Sequence, residues 1–358
     1  LSALNSLIVI LIVGALFMLS SLLLSNTLKV NKRANFWFGL FLLFWSTYWL
    51  EEILLLIGAK LDTTSIYFVI IKSIQFLTPM LFFNSTRLFS NPDYHYKKEE
   101  YLYFILPIVY GFLFYQSIIF PRAENYKLLV LILTLVNAIT LLSFAIVTIE
   151  RHKKKVRLYY SDIEDVDLSW LEYILAALLA LVLFISVYNI LFPYAELNSL
   201  ANGFMFVIIL FIGHFVIRQE EIFMIAKEER TQIEEVSLSD NKIIDDDELN
   251  EIMVNLRRQM EEKELFLDKK LTLKKLSGIA NTTPHKLSYA LNAGFNQTFY
   301  QFVNEYRVER AKLLLDGPKK NEYTILAIAY ESGFNSKSTF NTSFKKVTGI
   351  TPSQYINS

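Results

Sequence analysis

The sequence contains no cysteine among its 358 residues and carries no net charge. The lack of cysteine excludes disulfide bonds and thiolate metal sites, and it agrees with a reducing compartment. The sequence also lacks a phosphate-binding loop, a nucleophile motif and a histidine-kinase or cyclase module. The four histidines are too scattered for a metal site; they are His95, His152, His214 and His285. We therefore predict that the protein is not an enzyme and that it needs no cofactor and no metal.

The zero net charge conceals an uneven distribution along the chain. Residues 1–217 are almost balanced, with 15 Lys or Arg and 14 Asp or Glu. Residues 218–266 have 7 basic and 15 acidic residues, a net charge of −8, whereas residues 267–358 have 13 and 6, a net charge of +7. A basic block at one end of a chain is typical of a protein that binds a polyanion.

Long apolar runs dominate the first 217 residues. Hydrophobic residues make up 53% of the chain and the mean hydropathy is positive, which is unusual for a soluble protein. Seven runs are long enough to cross the ~30 Å hydrocarbon core of a bilayer as helices, at about 4–28, 36–59, 64–89, 101–120, 125–149, 169–192 and 197–217. The sequence therefore predicts an all-α protein, in which a polytopic seven-helix transmembrane bundle over residues 1–217 is followed by a soluble helical domain.

The basic residues of the loops predict the orientation of these spans. The loops after spans one, three and five hold 11 Lys or Arg, whereas the loops after spans two, four and six hold 3. Cytoplasmic loops are the ones rich in Lys and Arg. We therefore predict a multi-pass protein of the cytoplasmic membrane, with its N-terminus outside and residue 218 onward in the cytoplasm, where DNA is found.

Residues 218–266 form a charged, mostly helical linker. Within it, Leu249, Ile252, Met253, Leu256 and Met260 recur at helical spacing and give one apolar stripe. This stripe either packs on the domain that follows or serves as a dimerisation helix. The sequence leaves both possibilities open.

Residues 271–292 fit a helix-turn-helix motif. An apolar positioning helix begins near Leu273, and Asn281 and Thr282 make the turn. Thr283 is suited to cap the next helix, with Pro284 at its first position, where a missing N–H costs nothing. This recognition helix would present to the base edges of DNA the side chains of His285, Ser288, Tyr289 and Asn292.

Residues 324–348 fit a second motif of the same kind. Gly333 ends its positioning helix, where a positive φ is needed, and Ser336 caps its recognition helix. The outward positions, which we predict to face the bases, are Lys337, Ser338, Thr339, Asn341 and Thr342. Phosphate contacts, which position a protein without reading sequence, are predicted for Lys286, Ser336, Lys345 and Lys346. Between the motifs, residues 299–315 predict a long helix that holds the two recognition helices apart, and ~34 Å would suit successive major grooves.

Residues 267–358 thus form the third domain, and most of it resembles the AraC/XylS DNA-binding domain. The resemblance covers residues 269–356 and rests on three stretches: LTLKKLSGIANTTPHKLSYALN, FYQFVNEYRVERAKLLL and TILAIAYESGFNSKSTFNTSFKKVTGITPSQYI. It implies a bacterial transcription regulator that binds specific double-stranded DNA, as a homodimer or on repeated half-sites, with RNA polymerase as a partner. Carried over by position, the base-reading sites of the family fall on His285, Ser288, Tyr289, Lys337, Ser338, Asn341 and Thr342.

Three ionisable residues lie within the predicted spans, where charge is costly and often functional. Glu51 and Glu52 in span two lie at a depth similar to that of Lys72 in span three. We predict that Lys72 pairs with Glu51 or Glu52. The pair either fixes helix packing or forms a ligand or proton site, and both interpretations stay open.

These observations favour a membrane-bound one-component regulator, which also resembles a known group of membrane-bound members of the family. The membrane domain would sense an unknown small-molecule or membrane-borne signal, and the linker would pass the change to the DNA-binding domain. In this view, a fragment without residues 1–217 should still bind DNA. The alternative is a membrane carrier or receptor whose tail is a tethering or protein-interaction module.

Overall fold

The structure is a computed structural model that describes residues 3–27, 29–120, 122, 124–163, 168–191, 199–217, 244–317 and 323–356. Across these residues every regular element is helical, and the one β-type pairing is an isolated bridge between Tyr160 and Thr272. The predicted all-α class is therefore confirmed. The chain divides into two compact units, one of Leu1–Glu150 with Leu168–Met224 and one of Arg151–Asp167 with Ile225–Ser358.

The helices of the first unit are mostly apolar and differ in length. They are α1 (Ala3–Leu24), α2 (Lys32–Ser46), α3 (Leu50–Leu56), α4 (Ile66–Phe76), α5 (Thr78–Ser90), α6 (Leu106–Ile119), α7 (Glu124–Val156), α8 (Ser169–Leu191) and α9 (Ser199–Ile217). A 3₁₀ turn over Thr47–Trp49 joins α2 to α3, and a 3₁₀ segment over Lys98–Ile105 precedes α6. The last residues of α7 belong to the second unit.

Five helices in the described part of the chain, rather than the expected seven, are long and apolar enough to cross a membrane. They are Ala3–Leu24, Lys32–Leu56, Ile66–Ser90, Asn125–Val156 and Ser199–Ile217. The expected span at 101–120 coincides with a shorter apolar helix, Tyr103–Ile119, and that at 169–192 coincides with α8, of which Ser169–Ala180 is a shorter apolar part. In the first case the cause is local, because the 3₁₀ segment before Pro107 shortens the regular α-helix.

The core of the first unit forms where α1, α2 and α5 pack together. The buried residues of α1 recur every three or four positions, as in Val9, Ile12 and Leu16. Gly39 of α2 lets the two helices approach closely, because a Cβ there would lie 2.9 Å from Leu24 Cγ. The outer surfaces are apolar as well: large side chains such as Ile108 are exposed. An apolar core inside an apolar surface is compatible with insertion into a bilayer.

The described residues of the second unit form seven short to medium α-helices after the end of α7. They are α10 (Asp246–Lys263), α11 (Leu273–Ile279), α12 (Pro284–Tyr289), α13 (Phe299–Asp316), α14 (Ile325–Glu331), α15 (Lys337–Thr348) and α16 (Pro352–Ile356). The stripe predicted in the linker lies on α10, where Ile252, Leu256 and Met260 are buried in one core with α11 and α12. In the single chain, the stripe thus packs on the helices that follow it.

Helix α13 connects two separate cores of this unit. Its first half places Phe299, Phe302 and Val303 in the core of α10, α11 and α12. Its second half places Val308 and Ala311 in the core of α14 and α15. This 18-residue helix is therefore the spacer that the sequence predicts between the two motifs.

Candidate nucleic-acid interface

The first motif consists of α11 and α12, and side-chain caps begin both helices. The Thr272 hydroxyl accepts the N–H of Lys275 at 3.3 Å, and the Thr283 hydroxyl accepts the N–H of Lys286 at 3.2 Å. Asn281 takes a left-handed φ of 54° in the turn, which asparagine tolerates well. Pro284 is the first residue of α12, as the sequence predicts.

The outer face of α12 presents few strong base readers. Tyr289 is 41% exposed and Asn292 is exposed, whereas His285 and Ser288 are half-buried. The amide of Asn292 donates to the carbonyl of Ser288 at 2.9 Å, which orients its side chain. Asn292 itself lies in a single π-helical turn over Ala290–Gly294 rather than in α12.

Lys286, predicted to contact phosphate, is instead paired with Glu248 on α10. Glu248 is in the acidic first turn of α10, next to the capping residue Asp245. Because the Lys286 side chain is half-buried and satisfied by a carboxylate, a phosphate contact would require this pair to open.

The second motif consists of α14 and α15, and its turn requires glycine. Gly333 has a φ of 89°, and a Cβ at this position would lie 2.5 Å from the carbonyl oxygen of Phe266. Ser336 then caps α15 by accepting the N–H of Thr339 at 3.2 Å. At the far end, α15 ends at Gly349, which also has a positive φ.

The outer face of α15 carries most of the side chains predicted to face DNA. Lys337, Ser338 and Thr342 are exposed, Asn341 is half-buried, and Lys345 and Lys346 are exposed in the last turn. Thr339 does not belong to this face, because it is only 9% exposed and lies on the side of α15 that faces the core. Its hydroxyl accepts from Ser336 at 3.2 Å, so its contact is to the cap.

In the first unit, the three ionisable residues singled out from the sequence do not meet. Glu51 is exposed and Glu52 is half-buried on α3. The Lys72 ammonium donates to Gln75 Oε1 at 3.0 Å, one turn along α4, and lies 5.2 Å from the centre of the Phe68 ring. No ion pair within 4.0 Å joins Lys72 to either glutamate in the described part of the chain, so the predicted pair is not formed.

A cavity of about 300 Å³ lies elsewhere in the first unit. Its polar residues include Arg87 and Glu100, which form an ion pair at 2.6 Å, and Asn84. The Nδ2 atom of Asn84 is buried and makes no hydrogen bond with any described residue. The remaining walls are largely aromatic, with Trp37, Phe83, Tyr96, Tyr103, Phe104 and Phe144 among them. A mostly apolar cavity with a few polar side chains is a feature of small-molecule sites.

Comparison with known proteins identifies the C-terminal region. Residues 276–358 match a family model described as a helix-turn-helix domain, of the AraC type. These residues are an AraC-type helix-turn-helix domain. Over 117 residues, a third of the chain, the protein is 32% identical to uncharacterized HTH-type transcriptional regulators of Staphylococcus aureus strains COL and MSSA476. Over 86 residues, 24% of the chain, it is 28% identical to the uncharacterized HTH-type transcriptional regulator YdeC of Bacillus subtilis strain 168.

These alignments are confined to part of each protein. The chain covers 14% of the length of the two Staphylococcus aureus relatives and 28% of YdeC. No solved structure matches the chain. The family resemblance is thus confirmed for the AraC-type domain, while the roles of individual residues and of the first unit remain predictions.

The start of the DNA-binding domain holds lysines that sequence reasoning did not select. Lys269 and Lys270 are exposed, as is Lys274 on the positioning helix α11. The Lys269 ammonium lies 4.7 Å from the centre of the Tyr330 ring on α14. The backbone carbonyl of Lys269 accepts a hydrogen bond from the side-chain amide of Asn335, which lies just before α15. The run KKLTLKK at 269–275 is the sequence pattern that could have pointed to them. These lysines are further candidates for phosphate contacts.

Proposed function

We propose that the protein is a membrane-bound transcription regulator that binds specific DNA through its C-terminal domain. The observation that carries this proposal is the outer face of α15. Exposed Lys337, Thr342 and Lys345 lie on a capped recognition helix within a domain of net charge +7. Side chains that can read base edges and lysines that can contact phosphates are thus presented together.

The packing of residues 157–163 supports the predicted topology. These residues belong to the second unit, so they lie on the same side of the bilayer as the AraC-type domain. The chain between them must then cross the membrane an even number of times. α9 supplies one crossing, and α8, with 23 residues and a length of roughly 35 Å at 1.5 Å per residue, is long enough for the other.

The same reasoning supports a crossing at Tyr103–Ile119. Basic loops on either side of this region, after α5 and after α7, are both expected in the cytoplasm. α7 gives one crossing between them, so that one more is required. Tyr103–Ile119 is at the short end of the range for transmembrane helices. A seven-span protein with its N-terminus outside satisfies both conditions.

We propose that the signal binds in the cavity beside Asn84, which we favour over the region of Glu51, Glu52 and Lys72. Arg87 and Glu100 neutralise each other, so the cavity favours an uncharged ligand. Its aromatic walls suit an apolar group, and the Asn84 amide suits a hydrogen-bond acceptor such as a carbonyl oxygen. A neutral amphiphile with an ester or amide group fits this chemistry.

The partners of the regulator follow from this proposal. Double-stranded DNA and the lipid bilayer are the direct ones, and RNA polymerase is the expected partner of a bound regulator. A homodimer remains a proposal, and α10 is a poor candidate for the dimer contact because its apolar stripe is buried within the unit.

DNA binding is tested with the full-length protein in lipid nanodiscs. Duplexes selected from a random library are titrated at several salt concentrations, for the wild type, for a Lys337→Ala/Asn341→Ala variant and for Lys263→Ala as a control. Lys263 is exposed at the end of α10, so the control removes a charge outside the recognition helix. We expect a falling log K with log salt, loss of specific binding in the double variant, and normal binding in the control.

Salt-independent binding, or equal binding by the double variant and the wild type, would refute the proposal. In that case α15 would not be the recognition helix.

The signal site is tested by native mass spectrometry of protein purified from membranes. We expect the wild type and Glu51→Gln to retain a neutral amphiphile and Asn84→Leu to lose it, because leucine removes the donor and narrows the cavity. If Asn84→Leu retained the amphiphile and Glu51→Gln lost it, the signal site would instead lie at the acidic residues of α3.

A further inference from the structure

The chain that follows α7 packs into the second unit as an arm, which we define as residues 156–163. Val156, Tyr160 and Ile163 of the arm are buried in a small apolar core with Tyr300 of α13. This segment is far in sequence from the helices that it contacts. In the sequence, this part of the chain stands out only through the basic residues near its start.

Backbone hydrogen bonds join the arm to the first motif and to the spacer helix α13. The N–H of Leu273, at the start of α11, donates to the carbonyl of Tyr159 at 3.0 Å. The N–H of Tyr300, at the start of α13, donates to the carbonyl of Arg157 at 3.2 Å. The arm therefore accepts hydrogen bonds from backbone N–H groups at the N-terminal ends of two helices, where such groups have no partner within the helix.

Ser161 of the arm also satisfies a buried arginine. Arg307 on α13 is 1% exposed, and its guanidinium donates to the carbonyl oxygens of Phe266 at 2.8 Å and Asp268 at 2.9 Å. It donates in addition to the carbonyl and to the hydroxyl of Ser161, both at 3.2 Å. Ser161 is itself buried, and its hydroxyl donates to the carbonyl of Leu271 at 2.8 Å.

Burial lowers the pKa of Arg307 to about 10, which leaves the guanidinium charged at neutral pH. A buried charge that loses acceptors is strongly unfavourable. The docked arm therefore stabilises the position of α13, the spacer between the two motifs.

The contacts continue from the arm to the second recognition helix. The Tyr300 hydroxyl lies 3.4 Å from the hydroxyl of Ser343, which is buried on the inner side of α15. At the other end, the arm is continuous with α7, whose residues Leu141, Ala145 and Ile149 belong to the core of the first unit. No break in the helix separates Ile149 from Val156.

From these contacts we infer that the arm is the route by which the membrane unit controls DNA binding. The docked arm holds α11, α13 and α15 in one arrangement, and movement of α7 that displaces the arm releases them. This inference rests on the proposed function, and it assigns the transmission of the signal to residues 156–163 rather than to the linker at 218–243.

Docking of the arm is tested by thiol labelling of the full-length protein in nanodiscs. Because the chain has no cysteine, each single-cysteine variant carries only one thiol. We expect Ser161→Cys to react with a maleimide about ten times more slowly than Lys154→Cys, since Ser161 is buried and Lys154 is exposed. Equal rates would show that the arm is not docked.

Control of DNA binding is tested with duplexes that the wild type selects. Each variant is titrated with the complete site and with a site in which one of the two half-sites is scrambled. For Ser161→Leu we expect about tenfold weaker binding to the complete site, as is typical of coupling between sites, and unchanged binding to the half-site. Tyr300→Phe, which removes only the hydroxyl next to Ser343, should show a smaller loss in the same direction, and Lys154→Ala should show none.

The outcomes separate this inference from the proposed function. If Ser161→Leu does not fold, Tyr300→Phe still tests the route. Wild-type affinity of both variants for the complete site would overturn the role of the arm while leaving the regulator intact. If the wild type selects no sequence at all, the proposed function itself fails.

Discussion

At the scale of single residues, the sequence predicted the anchors of the two motifs better than their exposed faces. Thr283, Ser336 and Gly333 have the capping and turn roles expected of them, because a cap and a positive φ depend on the local backbone. Thr339 and Lys286 differ from expectation because tertiary contacts decide them. Thr339 lies one position from the buried Phe340, and Lys286 meets a glutamate 38 residues earlier.

Gly333 offers a test of the turn before α15. We expect Gly333→Ala to lower the free energy of unfolding by about 2 to 3 kcal/mol, from its positive φ and from the clash with Phe266. Gly349→Ala is the matched control, because Gly349 has a similar φ of 82° but open space around it, and it should cost about 1 kcal/mol. Chemical unfolding, monitored by hydrogen exchange of α13 and α15, measures the loss of stability in both variants. Equal losses in the two variants would contradict a clash at Gly333.

Lys345 tests the phosphate contacts. It is exposed in the last turn of α15, where it would contact phosphate without reading sequence. We expect Lys345→Ala to weaken binding to all duplexes alike and to reduce the slope of log K against log salt by about 0.9. A change in sequence preference instead of in slope would assign Lys345 to base contacts.

At the scale of elements, the two cores of the second unit follow from periodic apolar residues, and the sequence located its helices well. The apolar helices of the first unit were harder to predict, since composition alone does not show that a 3₁₀ segment precedes α6. The hydrogen bond of Lys72 to Gln75, in place of the predicted ion pair with a glutamate, was also beyond sequence reasoning. Similar depth in a bilayer does not fix the direction of a side chain, and Gln75 lies closer, one turn away.

The segment between α10 and α11 gives a pH-dependent test. The Asp268 carboxylate is paired with Lys275 and accepts the N–H of Lys270 at 3.0 Å. Burial raises the pKa of Asp268, but these bonds and the charges of Lys275 and Arg307 outweigh it, so the pKa lies below its usual 3.8. The stabilisation is therefore complete above that value and is lost as the pH falls through the lowered pKa.

We expect Asp268→Asn to be less stable than the wild type at neutral pH and to lose less stability on acidification. Hydrogen exchange of α11 at pH 6 and pH 3 measures the difference. If both proteins lost stability equally, Asp268 would not carry the effect.

At the scale of the whole molecule, the sequence predicted a membrane part and a DNA-binding part but missed how the chain is shared between them. The arm belongs to the second unit although it lies between two apolar runs. No local pattern marks Ser161 as a partner of Arg307, because 146 residues separate them. The simple expectation that a tail fragment would behave as the intact domain therefore requires revision.

A fragment that begins at residue 218 lacks both acceptors that Ser161 provides to Arg307. We expect this fragment to unfold at a lower temperature than the second unit of the intact protein, because its buried guanidinium is left short of partners. Thermal unfolding by circular dichroism, with and without an added peptide of residues 151–167, measures the loss and its rescue. No effect of the peptide would argue against the arm as a structural part of the unit.

We propose above all that a protein held in the membrane reads specific DNA through α15. A genome-wide map of bound DNA, made in parallel for the wild type and the Lys337→Ala/Asn341→Ala variant, tests it most directly. We predict discrete sites for the wild type and their loss in the variant, with both proteins recovered in the membrane fraction. Identical maps, or a wild-type map without discrete sites, would contradict the claim.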